Sequence, residues 1–499
     1  MVNKARGLGL IGLGMAAGIA ASLQFSAIAQ KAVGAPLPLE ELRQLTDVFG
    51  LIKSDYVEPV EGKKLLTDAI GGMVASLDPH SAYLDKKAFK EMRESVQGKF
   101  VGIGIEVGME DGYLKVVAPI EDSPAAKAGI KAGDLITRLD SLPMRGLSLD
   151  DAIKKMRGEP KSKITLSISR KGEDKPLLFA IVREEIHVQS VKAKMVESDY
   201  AWVRIAQFQE PTVIDMVGKI NALYAENPQI KGLVLDLRND PGGVLQGAIG
   251  VSAAFLPKDA VIVSTNGQLP DSKQIFYGSS EFYAARTGGD PLAQLPAALK
   301  KVPLVVLVNS GSASASEIVA GALQDYKRAT ILGTQTFGKG SVQTLRQLTP
   351  DTAIKLTTAR YYTPHGRSIQ ARGIVPDLMV DEALDGDGGN SLRVREADLQ
   401  KHLGNGEVDA AKMAAPALRD AFEEQQRINA LNKQRTPLVY GSKDDFQLAQ
   451  ALNHFKGLPV TLSKVKAKPA KEADLMDKSM SERNAKPKLD APVDIPAQK

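Results

Sequence analysis

The stretch from Asn309 to Gln343 constrains this chain more than any other feature. A short apolar, β-branched run, 303–308, precedes it and predicts a buried strand. A loop of Ser, Gly and Ala follows, and then apolar residues recur at helical spacing: Ile318, Val319, Ala322, Leu323 and Tyr326. Residues 312–316 are therefore expected at a strand-to-helix turn, where unpaired N–H groups and the helix dipole favour negative charge. A serine oxygen in such a turn is close to donors that could hold an oxyanion.

A lysine further along supplies a candidate base for such a serine. The predicted strand Thr330–Gly333 leads into Thr336-Phe-Gly-Lys-Gly340, in which Lys339 lies between two glycines. The glycines let the backbone bend sharply, so the amine can return toward the start of the helix. A serine needs a base to become a nucleophile. Lysine can be that base if burial lowers its pKa toward neutrality.

These two motifs resemble the carboxyl-terminal processing (tail-specific) peptidases, a Ser/Lys family. The resemblance rests on G-S-A-S-A-S-E-I and F-G-K-G-S-V-Q, and it extends from about residue 40 to about residue 380. It implies that Ser314 is the nucleophile, chosen over the neighbouring serines, and that Lys339, 25 residues later, is the general base. It also implies that Gln343 orients the lysine. Glu317 is expected either to interact with the site or substrate, or to be an ordinary acid of the first helical turn.

A glycine turn after another predicted strand is a candidate oxyanion hole. The apolar run 232–237 is followed by Arg-Asn-Asp-Pro-Gly-Gly, and this D-L-R-N-x-P-G-G pattern is similar to the same family. The glycines permit close approach of the backbone to a substrate. The resemblance implies that the N–H of Gly242 or Gly243, together with that of Ala315, forms the hole, and the sequence leaves the choice between the glycines open.

The segment 98–186 resembles a PDZ domain. Ser123-Pro-Ala-Ala-Lys-Ala-Gly-Ile-Lys-Ala-Gly-Asp-Leu-Ile136 matches a signature of bacterial PDZ modules. Such domains add a peptide as an extra strand and hold its terminal carboxylate with backbone N–H groups. The helix predicted at 149–157 forms one wall of the expected groove. The other wall is expected from five consecutive residues: Val101, Gly102, Ile103, Gly104 and Ile105.

The expected fold is α/β and multidomain. Alternating strands and helices predict an α/β core, and the resemblance implies the crotonase and Clp-protease type of β/α core. The expected regions are a signal peptide (1–29), a helical N-terminal region (37–97), the PDZ domain (98–186), a serine peptidase core (187–382), a C-terminal helical extension (383–463) and a disordered tail (464–499). The tail is rich in Lys, Ala, Pro and Asp, a composition typical of disorder.

The N-terminus and the composition bound the location and the partners. Basic Lys4 and Arg6, an apolar 7–23 segment and Ala27-Ile-Ala29 are typical of a signal peptide, which predicts export to the periplasm. The alternative is an uncleaved anchor in the inner membrane.

A net charge of +5 over 499 residues is too small to indicate a nucleic-acid partner. Expected partners are proteins bound by their C-terminal tails, an activating adaptor, and a second copy through the N- and C-terminal helices.

Other chemistries fit the sequence less well. The absence of cysteine excludes disulfides, a Cys nucleophile and thiolate zinc sites, no metal-ligand cluster is evident, and no cofactor is expected. A Ser/His/Asp triad would need His365, which lies in a Thr-Pro-His-Gly turn. A P-loop at 333–339 lacks the required hydroxyl, because Gly340 follows the lysine. A catalytically inactive PDZ scaffold and a crotonase-like acyl-CoA enzyme remain as alternatives of other classes.

Overall fold

The computed structural model describes most of the chain between residues 38 and 463. The described ranges are 38–110, 112–120, 122–145, 147–173, 175–284, 289–383, 394–405 and 438–463. The predicted signal peptide, most of the predicted C-terminal helical extension and the predicted disordered tail lie outside these ranges. Within them, no helix has the length and apolar character needed to cross a membrane. The chain divides into two compact units, one through Met73 and the other from Val74 onward.

The N-terminal unit is helical, as its apolar spacing predicts. It contains α1 (Leu39–Asp55) and most of α2 (Gly62–Ala75). Apolar side chains of α1, including Leu42 and Leu45, remain exposed.

The second unit begins with a short strand, a helix and a ribbon strand. These are β1 (Ala82–Leu84), α3 (Lys86–Gln97) and β2 (Lys99–Gly102). The helix α3 starts where the Asp85 carboxylate accepts the Ala88 N–H, and it ends at Gly98 with φ 67°. Both ends therefore follow ordinary capping chemistry.

A six-stranded sheet with two helices forms the PDZ-like part. Its elements are β3 (Ile105–Glu110), β4 (Tyr113–Pro119), α4 (Pro124–Lys127), β5 (Leu135–Leu139), β6 (Leu142–Pro143), α5 (Leu149–Met156), β7 (Lys163–Ser169) and β8 (Leu177–Val182). The main strand order is β3-β4-β5-β7-β8, so β3 is an edge strand. The next strand, β9 (Glu184–His187), pairs with β2 in a separate two-stranded ribbon.

The remaining chain forms a mixed α/β core. Its elements are β10 (Val191–Glu197), β11 (Tyr200–Ile205), α6 (Thr212–Glu226), β12 (Gly232–Asp236), α7 (Leu245–Phe255), β13 (Val261–Gly267), β14 (Gln274–Tyr277), β15 (Leu304–Val308), α8 (Ala315–Asp325), β16 (Thr330–Gly333), β17 (Ser341–Thr349), β18 (Thr352–Tyr362), β19 (Leu378–Met379) and α9 (Phe446–Phe455). The central sheet has the order β10-β11-β12-β15-β16-β19 and is parallel from β11 onward. A second sheet has the order β1-β18-β13-β14, with β17 paired to β18.

Both faces of the central sheet are covered, which explains why its strands are continuous apolar runs. On one face, residues of α6, α7 and α8 join the largest apolar cluster. On the other face, Trp202, Val234 and Leu307 pack with Leu448 and Ala451 of α9. Helix α9, which lies in the region expected as a C-terminal helical extension (383–463), thus packs on the core.

A buried ion cluster joins α9 to the strand that carries the glycine turn. The Arg238 guanidinium, fully buried, contacts Asp236 and Asp445 at 2.6 Å each and donates to Gln447 at 3.1 Å. The ring of Tyr440 stacks 4.6 Å from the guanidinium carbon. The ion pair between Arg238 and Asp445 therefore links two residues that are 207 positions apart in the sequence.

We expect Asp445→Asn to lower the free energy of unfolding by about 3 kcal/mol, because it leaves a buried guanidinium short of one anionic partner. Denaturant unfolding of the full chain measures this loss. Asp444→Asn is the matched control, since Asp444 is exposed. Equal stability of the two variants would show that the ion pair with α9 contributes little.

Candidate active site

Three turns meet at one edge of the central sheet. The turns follow β12, β15 and β16, which are parallel neighbours, so their carboxyl ends lie side by side. Ligand sites of open α/β sheets form at this edge. The turns carry the glycine motif at 238–243, the serine motif at 309–314 and the lysine motif at 334–340. The structure thus brings together the segments that the sequence selected.

Ser314 stands at the start of α8 in a strained conformation. Its φ is 55° and its ψ is −109°, values that a residue with a Cβ rarely adopts. Ser314 is 8% exposed, whereas the nearby serines Ser312 and Ser316 are fully buried. The Ser312 hydroxyl donates to the Leu237 carbonyl at 2.7 Å, and that of Ser316 donates to the Asp240 carbonyl at 3.0 Å. Ser312 and Ser316 thus fasten the serine turn to the glycine turn.

Glu317 connects the serine turn with the lysine turn. Its carboxylate is fully buried and accepts the N–H of Ser314 at 2.8 Å, of Gly338 at 2.6 Å and of Lys339 at 2.9 Å. It also accepts the hydroxyl of Thr336. Burial raises the pKa of Glu317 to about 7, although these four donors favour the ionised form. Glu317 is a first-turn acid, as one of the two expectations held, and it also binds the backbone on both sides of the site.

The lysine turn is fixed from several sides. Two further hydrogen bonds hold this turn in addition to those with Glu317. The Gly338 carbonyl accepts the Ala371 N–H at 2.8 Å, and the Gly340 N–H donates to the side-chain oxygen of Gln370 at 2.9 Å. A Cβ on Gly340 would overlap the backbone of Gln370, so a glycine is required there. The backbone that carries Lys339 therefore has one well-defined position.

The surroundings of the Lys339 amine favour its neutral form. Burial lowers the pKa of Lys339, and the like charge of Lys355 lowers it further. The carboxylates of Glu396, Glu317 and Asp78 act in the opposite direction without reversing the shift. A lysine becomes a more available base at neutral pH as its pKa falls. Within the described part of the chain, no hydrogen bond joins Ser314 Oγ to Lys339 Nζ, and catalytic contacts are often loose before substrate binds.

Gln343 lies on β17 beyond the lysine turn. Its amide nitrogen donates to Ser341 Oγ at 3.0 Å and to Thr357 Oγ1 at 3.3 Å. Across the described ranges, no hydrogen bond links it to Lys339. The structure therefore does not show the expected contact between the two side chains.

The structure distinguishes the two glycines of the glycine turn. The Gly242 N–H donates to the Asp240 carboxyl at 2.8 Å, and its φ is 92°. A Cβ on Gly242 would lie 2.8 Å from both Ser314 Cβ and the Ala315 nitrogen. Among the described residues, the N–H groups of Gly243 and Ala315 donate no hydrogen bond. Two unpaired donors therefore lie next to Ser314, and the Gly242 N–H is not one of them.

His365 is outside this arrangement. Its ring is 65% exposed and stands 3.9 Å from Asp325, near the far end of α8. The described chain has no group of three or more His, Asp or Glu side chains suited to a metal ion. The geometry gives a histidine base no support.

A second set of polar residues near the lysine turn escaped sequence reasoning. His80 Nε2 contacts Glu396 at 2.7 Å, and Glu396 also accepts from Gln370 at 2.8 Å. Asp78 accepts the Ser81 hydroxyl at 2.6 Å and that of Thr357 at 3.1 Å. The Asp-Pro-His-Ser turn at 78–81 could have drawn attention as a polar break between helices. Its partners lie about 280 to 320 positions away, and the spacing of residues in the sequence does not predict contacts over such a separation.

The residues expected to line the PDZ groove divide between two strands. Val101 and Gly102 belong to β2 and pair with β9, whereas Ile105 begins the edge strand β3. Ile103 and Gly104 connect the two strands and are buried. Gly104 has φ 76°, and a Cβ there would overlap Ser123, so the extended run breaks at this glycine. One edge of the sheet is β3, and Ile105 of β3 packs on the same apolar cluster as Leu149 and Ile153 of α5.

Comparisons with known proteins agree with this architecture. A profile of peptidase family S41 matches residues 199–380, a PDZ profile matches 101–179, and a profile of the "activating protease CtpB N-terminal domain" matches 16–88. A carboxy-terminal-processing protease of Bartonella bacilliformis is 43% identical over 408 residues, which cover 81% of this chain and 90% of that protein. A probable CtpA-like serine protease of Staphylococcus aureus is 37% identical over 341 residues, 68% of this chain and 65% of that protein. A solved photosystem II D1 C-terminal processing protease is 29% identical with a TM-score of 0.38, covering 65% of this chain and 84% of that one.

Proposed function

Since this chain belongs to the carboxy-terminal-processing proteases of peptidase family S41 and is a serine-type peptidase, we propose that it cleaves exported proteins near their C-termini through a Ser314–Lys339 dyad. The observation that carries this proposal is the position of Glu317. One buried carboxylate binds the backbone N–H of both Ser314 and Lys339, so the nucleophile and the base are held by the same group.

In the proposed reaction, neutral Lys339 takes the proton of Ser314 Oγ as that oxygen attacks the substrate carbonyl. The N–H groups of Gly243 and Ala315 receive the oxyanion, since both are unpaired beside Ser314. Collapse of the intermediate expels the amine and leaves an acyl-enzyme, which water hydrolyses. The side-chain oxygen of Gln343, Oε1, accepts no hydrogen bond in the described chain, and we propose that it accepts one from the Lys339 amine once substrate is bound.

The PDZ domain is proposed to select the substrate. The edge strand β3 can pair with an extended peptide, and the apolar side chains near α5 suit an apolar tail. N–H groups at Ile103 and Gly104, between β2 and β3, are proposed to hold the terminal carboxylate.

The remaining partners and the location are also proposals. The match to the N-terminal domain of an activating protease supports a partner protein that controls activity. Exposed leucines on α1 support self-association through the N-terminal helices. We propose that the C-terminal helices take part in the same self-association. We propose a periplasmic location, either free after signal removal or attached to the inner membrane by the uncleaved segment at the N-terminus.

The first test uses an unstructured reporter protein with an apolar C-terminus, compared with the same protein carrying a C-terminal amide. We expect the chain to cleave the free-acid form several-fold faster, because only that form offers a carboxylate to the PDZ domain. A fluorophosphonate probe, detected by mass spectrometry, should label Ser314. A chain that neither cleaves nor reacts, even with extracts that could supply an activator, would favour the inactive-scaffold alternative.

Gly242→Ala should reduce kcat by about 10²-fold or more, because the new Cβ meets Ser314 and Ala315 and displaces the oxyanion donors. The comparison variant is Gly366→Ala. Gly366 also has positive φ, at 77°, but nothing lies within 4 Å of an added Cβ. Steady-state kinetics on the reporter should separate the two. Equal kcat losses would trace the effect to backbone strain alone.

A further inference from the structure

Asp240 is a fully buried carboxyl that the proposed mechanism does not use. It occupies the variable position of the glycine turn, between Asn239 and Pro241. One of its oxygens accepts the Gly242 N–H at 2.8 Å. The other oxygen, Oδ2, is buried and has no hydrogen-bond partner in the described chain. A buried charged group without partners is costly, whereas a neutral carboxyl is tolerated far better.

The backbone of Asp240 ties it to the nucleophile. Its carbonyl accepts the Ala313 N–H and the Ser316 hydroxyl, each at 3.0 Å, on either side of Ser314. Its side chain turns the Gly242 N–H inward, and the next N–H in the chain is that of Gly243. Loss or rotation of the Asp240 carboxyl would therefore move a proposed oxyanion donor.

The charges around Asp240 offer it little compensation. The charge of Arg204 on β11 favours an anion at Asp240, but Arg204 is paired with Asp236 at 3.2 Å, and the Asp236 charge disfavours a second anion. At the start of α8, the buried titratable group is Glu317, whose carboxylate is bound to Ser314 and the lysine turn. Burial raises the pKa of Asp240 to about 8. At neutral pH the carboxyl is thus largely protonated.

We propose that the neutral Asp240 carboxyl positions the glycine turn at 238–243, which carries the proposed oxyanion donor Gly243. We also propose that ionisation of this carboxyl lowers activity at alkaline pH. An anion here would repel the negative charge that develops on the substrate oxygen. It would also strengthen its hold on the Gly242 N–H and shift the turn. The inference rests on the proposed Ser/Lys function and adds to it a positioning residue with a titration of its own.

The test compares pH profiles of kcat for the unaltered chain, Asp240→Asn and Asp240→Ala on the reporter. We expect the unaltered chain to lose about tenfold per pH unit well above pH 8. Asp240→Asn keeps an acceptor for Gly242 but cannot ionise, so its alkaline decline should disappear. Asp240→Ala lacks the acceptor and should show a lower kcat at every pH. Asp325→Asn, another buried acid at the far end of α8, is the control and should retain the decline.

Each outcome decides the matter. An alkaline decline that persists in Asp240→Asn would overturn the inference and leave the Ser/Lys function standing. An unaltered chain that stays inactive even with extracts that could supply an activator would overturn both, and an unaltered chain that is active but shows no alkaline decline would overturn the inference alone. If Asp240→Asn does not fold, infrared spectra of the unaltered chain with isotope-labelled aspartate decide instead. A protonated carboxyl band that vanishes as pH rises through about 8 supports the inference, and its absence at neutral pH overturns it.

Discussion

Ser314→Ala should lower kcat on the reporter by about 10⁴-fold or more, because no other group in the site can form the acyl-enzyme. The fold should be preserved, since the buried contacts of this turn belong to its neighbours. Ser312 and Ser316 bind the glycine turn, and Glu317 binds the Ser314 N–H rather than its hydroxyl. Residual activity above a few per cent would show that another residue is the nucleophile.

Stability measurements on variants of Ser314 test the backbone strain at the proposed nucleophile. A residue with a Cβ at φ 55° costs on the order of 1–3 kcal/mol, and glycine escapes most of that cost. Ser314→Gly should therefore be about 1 kcal/mol more stable to denaturant than Ser314→Ala, and equally inactive. Equal stability of the two variants would mean that the turn relaxes around any side chain and stores no strain for catalysis.

Local signals in the sequence predicted most of the secondary structure of the core. The apolar runs at 232–237 and 303–308 became β12 and β15 within one residue at each end, because parallel strands covered on both faces need such runs. Thr330–Gly333 is a strand with the predicted bounds, β16.

The sequence could not predict contacts between distant residues. Glu317 was visible as a first-turn acid, but its bonds to Gly338 and Lys339 depend on how two loops meet. The contact of Glu396 with His80 spans 316 positions, and that of Asp445 with Arg238 spans 207. The choice between Gly242 and Gly243 also needed the structure, since only the position of the Asp240 carboxyl shows which N–H is occupied.

Lys339→Ala should lower kcat at neutral pH by about 10³-fold or more, since it removes the base and leaves the nucleophile protonated. Lys339→Arg should be as inactive, because a guanidinium does not lose its proton in proteins. His365→Ala is the control and should keep full activity, as its ring is exposed near Asp325. A silent His365→Ala with an active Lys339→Ala would replace the lysine base with a histidine.

The pH dependence identifies the lysine more specifically than the loss of activity does. A base with a lowered pKa is charged below that pKa, so activity should rise with pH as the Lys339 amine becomes neutral. Protonation of Glu317, whose pKa is about 7, acts in the same direction. Lys355→Gln separates the two, because the Lys355 charge acts on Lys339 and helps to lower its pKa. The variant should move the acidic limb of the profile to higher pH and leave the plateau in place. An unmoved limb would assign the acidic limb to Glu317, and the role of Lys339 would then rest on the alanine and arginine variants alone.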